Sequence, residues 1–236
     1  MQANAIHVYP PMLFIALFAV VVICVKLRKL TPPAAILAAV IGAAVYLGSG
    51  DHGILLLCTF FILGVLATSY KKKLKPFEGV PAGPRNAGQV FANGGVAAIA
   101  GLLAYLDPEH DSIYQLMLAG SLASALADTL SSELGMIYGR RFYNILSLKK
   151  EVRGLDGLIS LEGTLIGAAG AGLIGLLHAG FSQLAFFIAL AGIFGNAMDS
   201  VLGASLERKK YLNNDAVNFL NTLLAALAAV TLDLIF

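Results

Sequence analysis

Apolar stretches of about 17–25 residues follow one another along almost the whole chain. As α-helices, each is long enough to cross a hydrocarbon core of roughly 30 Å. Backbone N–H and C=O groups in lipid must be satisfied within their own segment, so a chain of this kind is confined to helices. The stretches are read as Ile6–Val25, Pro33–Gly48, Gly53–Ser69, Ala87–Leu106, Ile113–Ile137, Leu158–His178, Phe181–Leu206 and Ala216–Phe236. The expected fold is an all-α polytopic membrane helix bundle of about eight transmembrane helices. It forms a single membrane domain over 1–236, with a three-helix N-terminal segment at 1–70 and a five-helix, motif-bearing core at 71–236. Composition agrees. Only 13% of residues are charged, against roughly 25% in soluble domains, which excludes a soluble enzyme, a nucleic-acid-binding module and a disordered tail. Lys26, Arg28 and Lys29 follow the first apolar stretch instead of preceding it, the order expected of a retained anchor rather than a cleaved signal.

The 16 Lys and Arg residues fall into four groups, Lys26–Lys29, Lys71–Arg85, Arg140–Arg153 and Arg208–Lys210. All four lie on alternate loops, hence on one side of the membrane. The opposite side has Asp51, Asp107, Glu109 and Asp111 and no cation. The positive-inside rule makes the basic loops cytoplasmic and puts both termini outside. The four histidines, His7, His52, His110 and His178, then fall on the outer side. Chemistry at the cytoplasmic face must rest on carboxylates, whose natural partner is a hard cation such as Mg²⁺. Cys24 and Cys58 sit inside apolar runs and define neither a disulfide ladder nor a CxxC site.

A charge inside a span costs about 2.5–3.5 kcal/mol on insertion scales. Asp128 and Glu133 in the fifth span, Glu162 in the sixth and Asp199 in the seventh therefore need a reason, and Asn93, Asn196 and Asn218 add amides at similar depth. Gly120, Ser121, Ser124, Asp128, Ser131, Ser132 and Gly135 recur at helical spacing as one narrow stripe, and Gly192, Asn196, Asp199 and Gly203 make another. Close helix packing accounts for most of the glycines but not for a buried aspartate. Glu133 is rotated by about 140° from Asp128 at 3.6 residues per turn. The two share a site only if the helix loosens or another element faces both. Asp233, near the outer end of the last span, has a structural or neutral role.

Two segments align without a gap: Gly88–Gly94 with Gly157–Gly163, which sets Asn93 against Glu162. At a similar distance beyond each come Asp128-Thr-Leu and Asp199-Ser-Val. A parallel two-helix repeat would make Asp128 and Asp199 equivalent and place a site between them. The rival reading is chance likeness between Gly- and Ala-rich helices.

Among the basic loops, the Lys71–Lys75 run reads as an anchor to anionic lipid. Arg85 and Asn86, just before a helix, suit an anion at its N-terminus. Arg140, Arg141, Lys149, Lys150 and Arg153 lead into the sixth span. Asn214 or Asp215 is the expected cap of the last helix, and capping explains only one of the polar residues there. Neither a P-loop nor a Rossmann pattern occurs. The sum is a cation-rimmed, carboxylate-bearing pocket that a phosphorylated soluble ligand enters from the cytoplasm and a lipid enters laterally. Phosphoryl transfer asks for little beyond positioning, metal and positive charge.

Several stretches carry a family resemblance: Asn93-Gly-Gly-Val-Ala-Ala, Ala127-Asp-Thr-Leu-Ser-Ser-Glu-Leu-Gly135, Asp156-Gly-Leu-Ile-Ser-Leu-Glu-Gly-Thr-Leu-Ile-Gly167, Gly195-Asn-Ala-Met-Asp-Ser-Val-Leu-Gly-Ala204 and Asn214-Asp-Ala-Val-Asn-Phe219. In this order they resemble the integral-membrane family first described as a domain of unknown function, which includes the phytyl-phosphate kinase of vitamin E synthesis. Asp128 to Phe142, and Ser160-Leu-Glu-Gly-Thr164, are also similar to segments of the wider phytol and dolichol kinases, with Ile159 where those carry Lys. The resemblance implies a nucleoside-triphosphate-dependent kinase, using CTP or another nucleoside triphosphate with a divalent metal such as Mg²⁺, that phosphorylates a membrane isoprenoid monophosphate or alcohol. Asp128, Glu133 and Asp199 would be the catalytic and metal-binding residues. Arg85, Asn86, Asn93, Arg140, Arg141, Arg153, Ser160, Glu162, Asn196, Asn214, Asp215 and Asn218 would bind nucleotide and substrate. Two other readings stand beside it: a lipid or small-molecule carrier, and a nucleotidyltransferase that makes an activated lipid.

Overall fold

The computed structural model describes residues 10–71 and 83–236. The start of the first expected span (with His7) and most of the Lys71–Lys75 run lie outside the described residues. The helices are α1 (Pro10–Lys26), α2 (Pro32–Ser69), α3 (Ala87–Leu106), α4 (Asp111–Tyr138), α5 (Leu161–Ala179), α6 (Gln183–Leu202) and α7 (Asn214–Ile235). A π-helical turn, Gly203–Glu207, extends α6. Six of these, α2 to α7, are long and apolar enough to cross a membrane, and α1 has 17 residues. The architecture is all-α and polytopic.

α2 joins two of the expected spans. Its 38 residues would reach about 57 Å if straight, at 1.5 Å per residue. Yet Lys29 Nζ, just before its start, donates a 2.8 Å hydrogen bond to Ser69 Oγ at its end. The helix is folded back on itself at Gly50, whose φ of 56° and ψ of −149° leave the helical region. That backbone conformation is essentially reserved for glycine.

Side chains cap the starts of α2, α3, α5, α6 and α7. Thr31 accepts from the Ala34 N–H with Pro32 at the first helical position, and Asn86 and Gln89 form a reciprocal capping box on α3. Ser160 and Ser182 cap α5 and α6. The cap of α7 is Asn213, not Asn214 or Asp215: its side chain accepts from the Ala216 N–H at 2.9 Å. α5 begins at Leu161, three residues later than expected, because Leu158–Ile159 pair antiparallel with Tyr143–Asn144.

α4 is the central helix and touches α2, α3, α5, α6 and α7. From Leu118 to Ala127 it is buried at every position, which only a run rich in Ala, Gly and Ser allows when neighbours approach on all sides. An added Cβ at Gly120 would lie 2.9 Å from the Ala225 carbonyl of α7, and one at Gly192 would lie 2.8 Å from both Ala123 and Ala171. The glycine stripes are packing seams, as the spacing suggests.

The described charges separate by end. Lys29, Arg85, Arg153 and Arg208 bond residues at one end of the bundle. Asp107 and its partners His110 and Tyr114, and the His52–His178 ring pair, occupy the other. The repeat holds only in part. Asp128 and Asp199 occupy related places toward the ends of α4 and α6, but Asn93 lies in the second turn of α3 and Glu162 in the first turn of α5. The two are out of helical register.

Candidate functional site

A cavity of about 530 Å³ opens at the basic end, between the starts of α3 and α7, the ends of α4 and α6, and the loop before α5. Of the residues expected from the sequence, it is lined by Arg85, Asn86, Asn93, Asp128, Glu133, Ser160, Asn196, Asp199, Asn214 and Asn218.

The carboxylates of Asp128 and Asp199 are in hydrogen-bonding contact at its floor. α4 and α6 can bring them together because Gly195 lets α6 lie against Ser124, one turn before Asp128. Asp199 Oδ1 also accepts a 2.7 Å hydrogen bond from Asn221 Nδ2, and Asn221 Oδ1 in turn accepts from Ser124 Oγ at 3.1 Å. Two carboxylates at this depth stay together only with a shared proton or a cation between them. Asn221 is absent from the residues singled out in the sequence, although Asn214, Asn218 and Asn221 follow the i, i+4, i+7 spacing of one helix face.

Arg85 lines the same cavity and faces Glu133 and Asp128. Its backbone is fastened to the start of α2, the Arg85 N–H donating to the Lys29 carbonyl at 2.9 Å and the Thr31 N–H donating to the Arg85 carbonyl at 3.0 Å. Its Nη2 donates to Thr68 Oγ1 at 3.2 Å. Burial pushes the guanidinium below its ordinary value, and Glu133, then Asp128, push it back up. One cation from outside α4 thus faces both of its carboxylates, the condition that their spacing demands.

Asp156 and Glu207 also line the cavity and face Asp199. The π-helical turn carries Glu207 inward; in sequence it reads only as the end of an apolar helix before Arg208. Asp156 does open the stretch that runs to Gly167. Its loop is pressed onto the end of α6 at Gly157, where φ is 70° and a Cβ would collide with Ala204. Arg208 holds it there, with Nε donating to the Asp156 carbonyl at 2.7 Å and Nη1 2.8 Å from Glu151.

Five expected residues do not line the cavity. The Arg140 side chain is 89% exposed and reaches Glu162 only at 4.0 Å. Arg141 is exposed. Arg153 Nη1 donates to the Met136 carbonyl at 3.0 Å, satisfying the C-terminal end of α4. The Asp215 carboxylate lies over the first turn of α3, where a Cβ on Gly88 would meet it; a negative charge is favourable there. Among the described residues, no three His, Cys, Asp or Glu side chains converge as a metal site. Glu133 is drawn toward Arg85 and completes no three-carboxylate set. The Asp128–Asp199 pair still fits Mg²⁺, which takes one or two carboxylates and fills its shell with phosphate oxygens and water.

Residues 15–226 match the family described as integral membrane protein DUF92. The chain belongs to this family. As a DUF92 protein it is an integral, multi-pass membrane protein. It is 33% identical over 227 residues to an uncharacterized membrane protein of Methanocaldococcus jannaschii, covering 92% of this chain and 93% of that one. An uncharacterized membrane protein of Synechocystis is 32% identical over 206 residues, covering 82% and 79%. Protein VTE6, chloroplastic, of Arabidopsis thaliana is 30% identical over 203 residues, 80% of this chain but 61% of VTE6. No solved structure matches.

Proposed function

We propose that this DUF92 protein is a nucleoside-triphosphate-dependent kinase, using CTP, that phosphorylates a membrane isoprenoid monophosphate such as phytyl phosphate, or the corresponding alcohol. The observation that carries the reading is the Asp128–Asp199 pair with Arg85 facing Asp128 and Glu133, in one polar cavity at the basic end of a membrane bundle. The likeness to VTE6 supports it. In this reading the chain crosses the membrane eight times, with both termini outside and the cavity facing the cytoplasm.

Mg²⁺ held by Asp128 and Asp199 would neutralise the charge on the transferred phosphoryl group. Arg85 clamps phosphate oxygens, and the helix N-terminus behind Asn86 adds backbone donors. An oxygen of the acceptor monophosphate attacks the γ-phosphorus, the bond from that phosphorus to the β-phosphate oxygen breaks, and the nucleoside diphosphate leaves. A monophosphate is already ionised near neutral pH and needs no base. The described histidines lie at the opposite end, which favours the monophosphate over the alcohol.

The test is a product assay on the purified protein with Mg²⁺, CTP or ATP, and phytyl or geranylgeranyl monophosphate. A prenyl diphosphate that Asp128→Asn abolishes upholds the kinase. A product heavier by a nucleoside monophosphate would make the protein a nucleotidyltransferase. Binding without product, unaffected by Asp128→Asn, would make it a carrier.

A further inference from the structure

A second cavity, of about 210 Å³, lies between α1, the two arms of α2 and the start of α3. Its wall is apolar, with Val20 from α1, Ala38 and Ala39 from the first arm, Ile54 and Phe61 from the second, and Val90 from α3. Its polar exceptions gather at one end. Arg85, Gln89 and Asn93 line this cavity and also the polar one, so the two spaces meet across these three side chains. Val20 and Cys58, on its walls, are exposed. α1 packs chiefly against α2 and shows Phe18, Val20 and Ile23 outward, with Leu27 exposed just beyond its end. The apolar cavity is therefore a groove that opens sideways to the bilayer and ends at a guanidinium.

We propose that this groove holds the hydrocarbon chain of a single-chain anionic lipid, an isoprenoid monophosphate, with its phosphate at Arg85 and the adjoining isoprene units between α1 and α2. The assignment rests on the kinase reading for the identity of the lipid. The occupant follows from the continuity of the two spaces. A soluble nucleotide has no apolar part to fill a hydrocarbon wall, and a hydrocarbon alone would bring no polar group to Arg85, Gln89 and Asn93, where the two spaces meet. At about 210 Å³ the groove is smaller than the roughly 300–1,000 Å³ of a pocket that encloses a whole ligand, so it takes the part of the chain next to the phosphate and leaves the rest in the bilayer. This gives the first three helical segments a task. They form the lipid side of a site whose nucleotide side lies between α4, α6 and α7.

The experiment uses the full-length protein in phosphatidylglycerol nanodiscs and a geranylgeranyl monophosphate bearing a diazirine on the isoprene unit nearest the phosphate. Crosslinks are mapped by peptide mass spectrometry. They are expected on Ala38–Ala39 and on Ile54–Phe61, and unlabelled geranylgeranyl monophosphate should compete them away. Filling the groove with Ala39→Leu and then Ala39→Trp should lower crosslinking progressively, by about tenfold for the larger side chain. Thermal unfolding verifies that each variant is folded. Inorganic phosphate, which brings no hydrocarbon to the groove, should bind both variants as it binds the wild type. Crosslinks on the outer faces of α5 and α6 would overturn the assignment. So would groove crosslinks that excess phosphatidylglycerol competes as well as the prenyl phosphate does. The readout needs no turnover. Groove crosslinks without diphosphate formation would keep the groove and remove the kinase, and diphosphate formation with crosslinks elsewhere would do the reverse.

Discussion

Replacing Asp128 by Asn separates the cost of the site from its use. Two ionised carboxylates about 4 Å apart repel by about 4 kcal/mol at an effective dielectric constant near 20. In the metal-free protein this is relieved only by a shared proton, which is itself bound at a cost. Asn keeps the shape of Asp, removes one charge and brings an amide donor to Asp199, which already accepts from Asn221 at 2.7 Å. A hydrogen bond to a charged group is worth about 1.5–3 kcal/mol net, so Asp128→Asn should be more stable than wild type by about that amount in magnesium-free detergent. Equilibrium unfolding followed by helical circular dichroism measures the difference. Magnesium should then cancel most or all of this advantage. A ligand at one hundred times its dissociation constant stabilises by about 2.7 kcal/mol, and the variant lacks one of the two carboxylates that would bind it. Prenyl diphosphate formation should fall by about 10²–10³-fold, the usual loss when one transition-state contact is removed. An Asn variant less stable than wild type without magnesium would refute the frustrated-pair argument, and equal stabilisation of both proteins by magnesium would refute the metal assignment.

Gly50→Ala should destabilise the protein by about 1–3 kcal/mol through backbone strain alone, since an added Cβ there meets no atom within 4 Å. Gly172→Ala, in α5 with equally open surroundings, should stabilise by up to about 1 kcal/mol, and unfolding of the two variants in one detergent gives the comparison. Arg85→Ala should reduce prenyl diphosphate formation by at least about 100-fold, as expected when a transition-state contact is lost. Arg140→Ala should change stability by less than about 1 kcal/mol and leave turnover close to wild type in the same assay. At the opposite end, the Tyr114 hydroxyl and then His110 hold the Asp107 carboxyl below its ordinary value. The stability it contributes is present above the unfolded carboxylate value and is lost as pH falls through the lower folded one. The difference between wild type and Asp107→Asn should therefore be present at neutral pH and vanish in acid, which a pH series of unfolding curves would reveal.

What the sequence discloses about this protein follows the size of the penalty each residue incurs in lipid. Asp128 and Asp199 stand out because a carboxylate in an apolar run needs a partner, and the structure makes them partners of one another. Arg85 stands out because a cation before a capped helix start is set to meet an anion. Arg140, Arg141 and Arg153 carry the same charge in the same kind of loop, but at the membrane surface a cation is cheap to place, so its presence implies no site. Arg153 finds the Met136 carbonyl and Arg140 finds Glu162. Asn221 escapes notice for the opposite reason. An amide in a helix costs little, and only its spacing from Asn214 and Asn218 marks it as part of the network under Asp199. The fold shows the same division. The apolar periodicity discloses the helices, and Gly50 alone turns two of them into a hairpin. The attachment of the N-terminal helices to the site is invisible in sequence, because the bonds that fix Arg85 run from its main chain to those of Lys29 and Thr31. Main-chain bonds make no demand on residue type. A chain can hide a site's most important scaffold in this way, and here the hidden scaffold also forms the wall of the apolar groove.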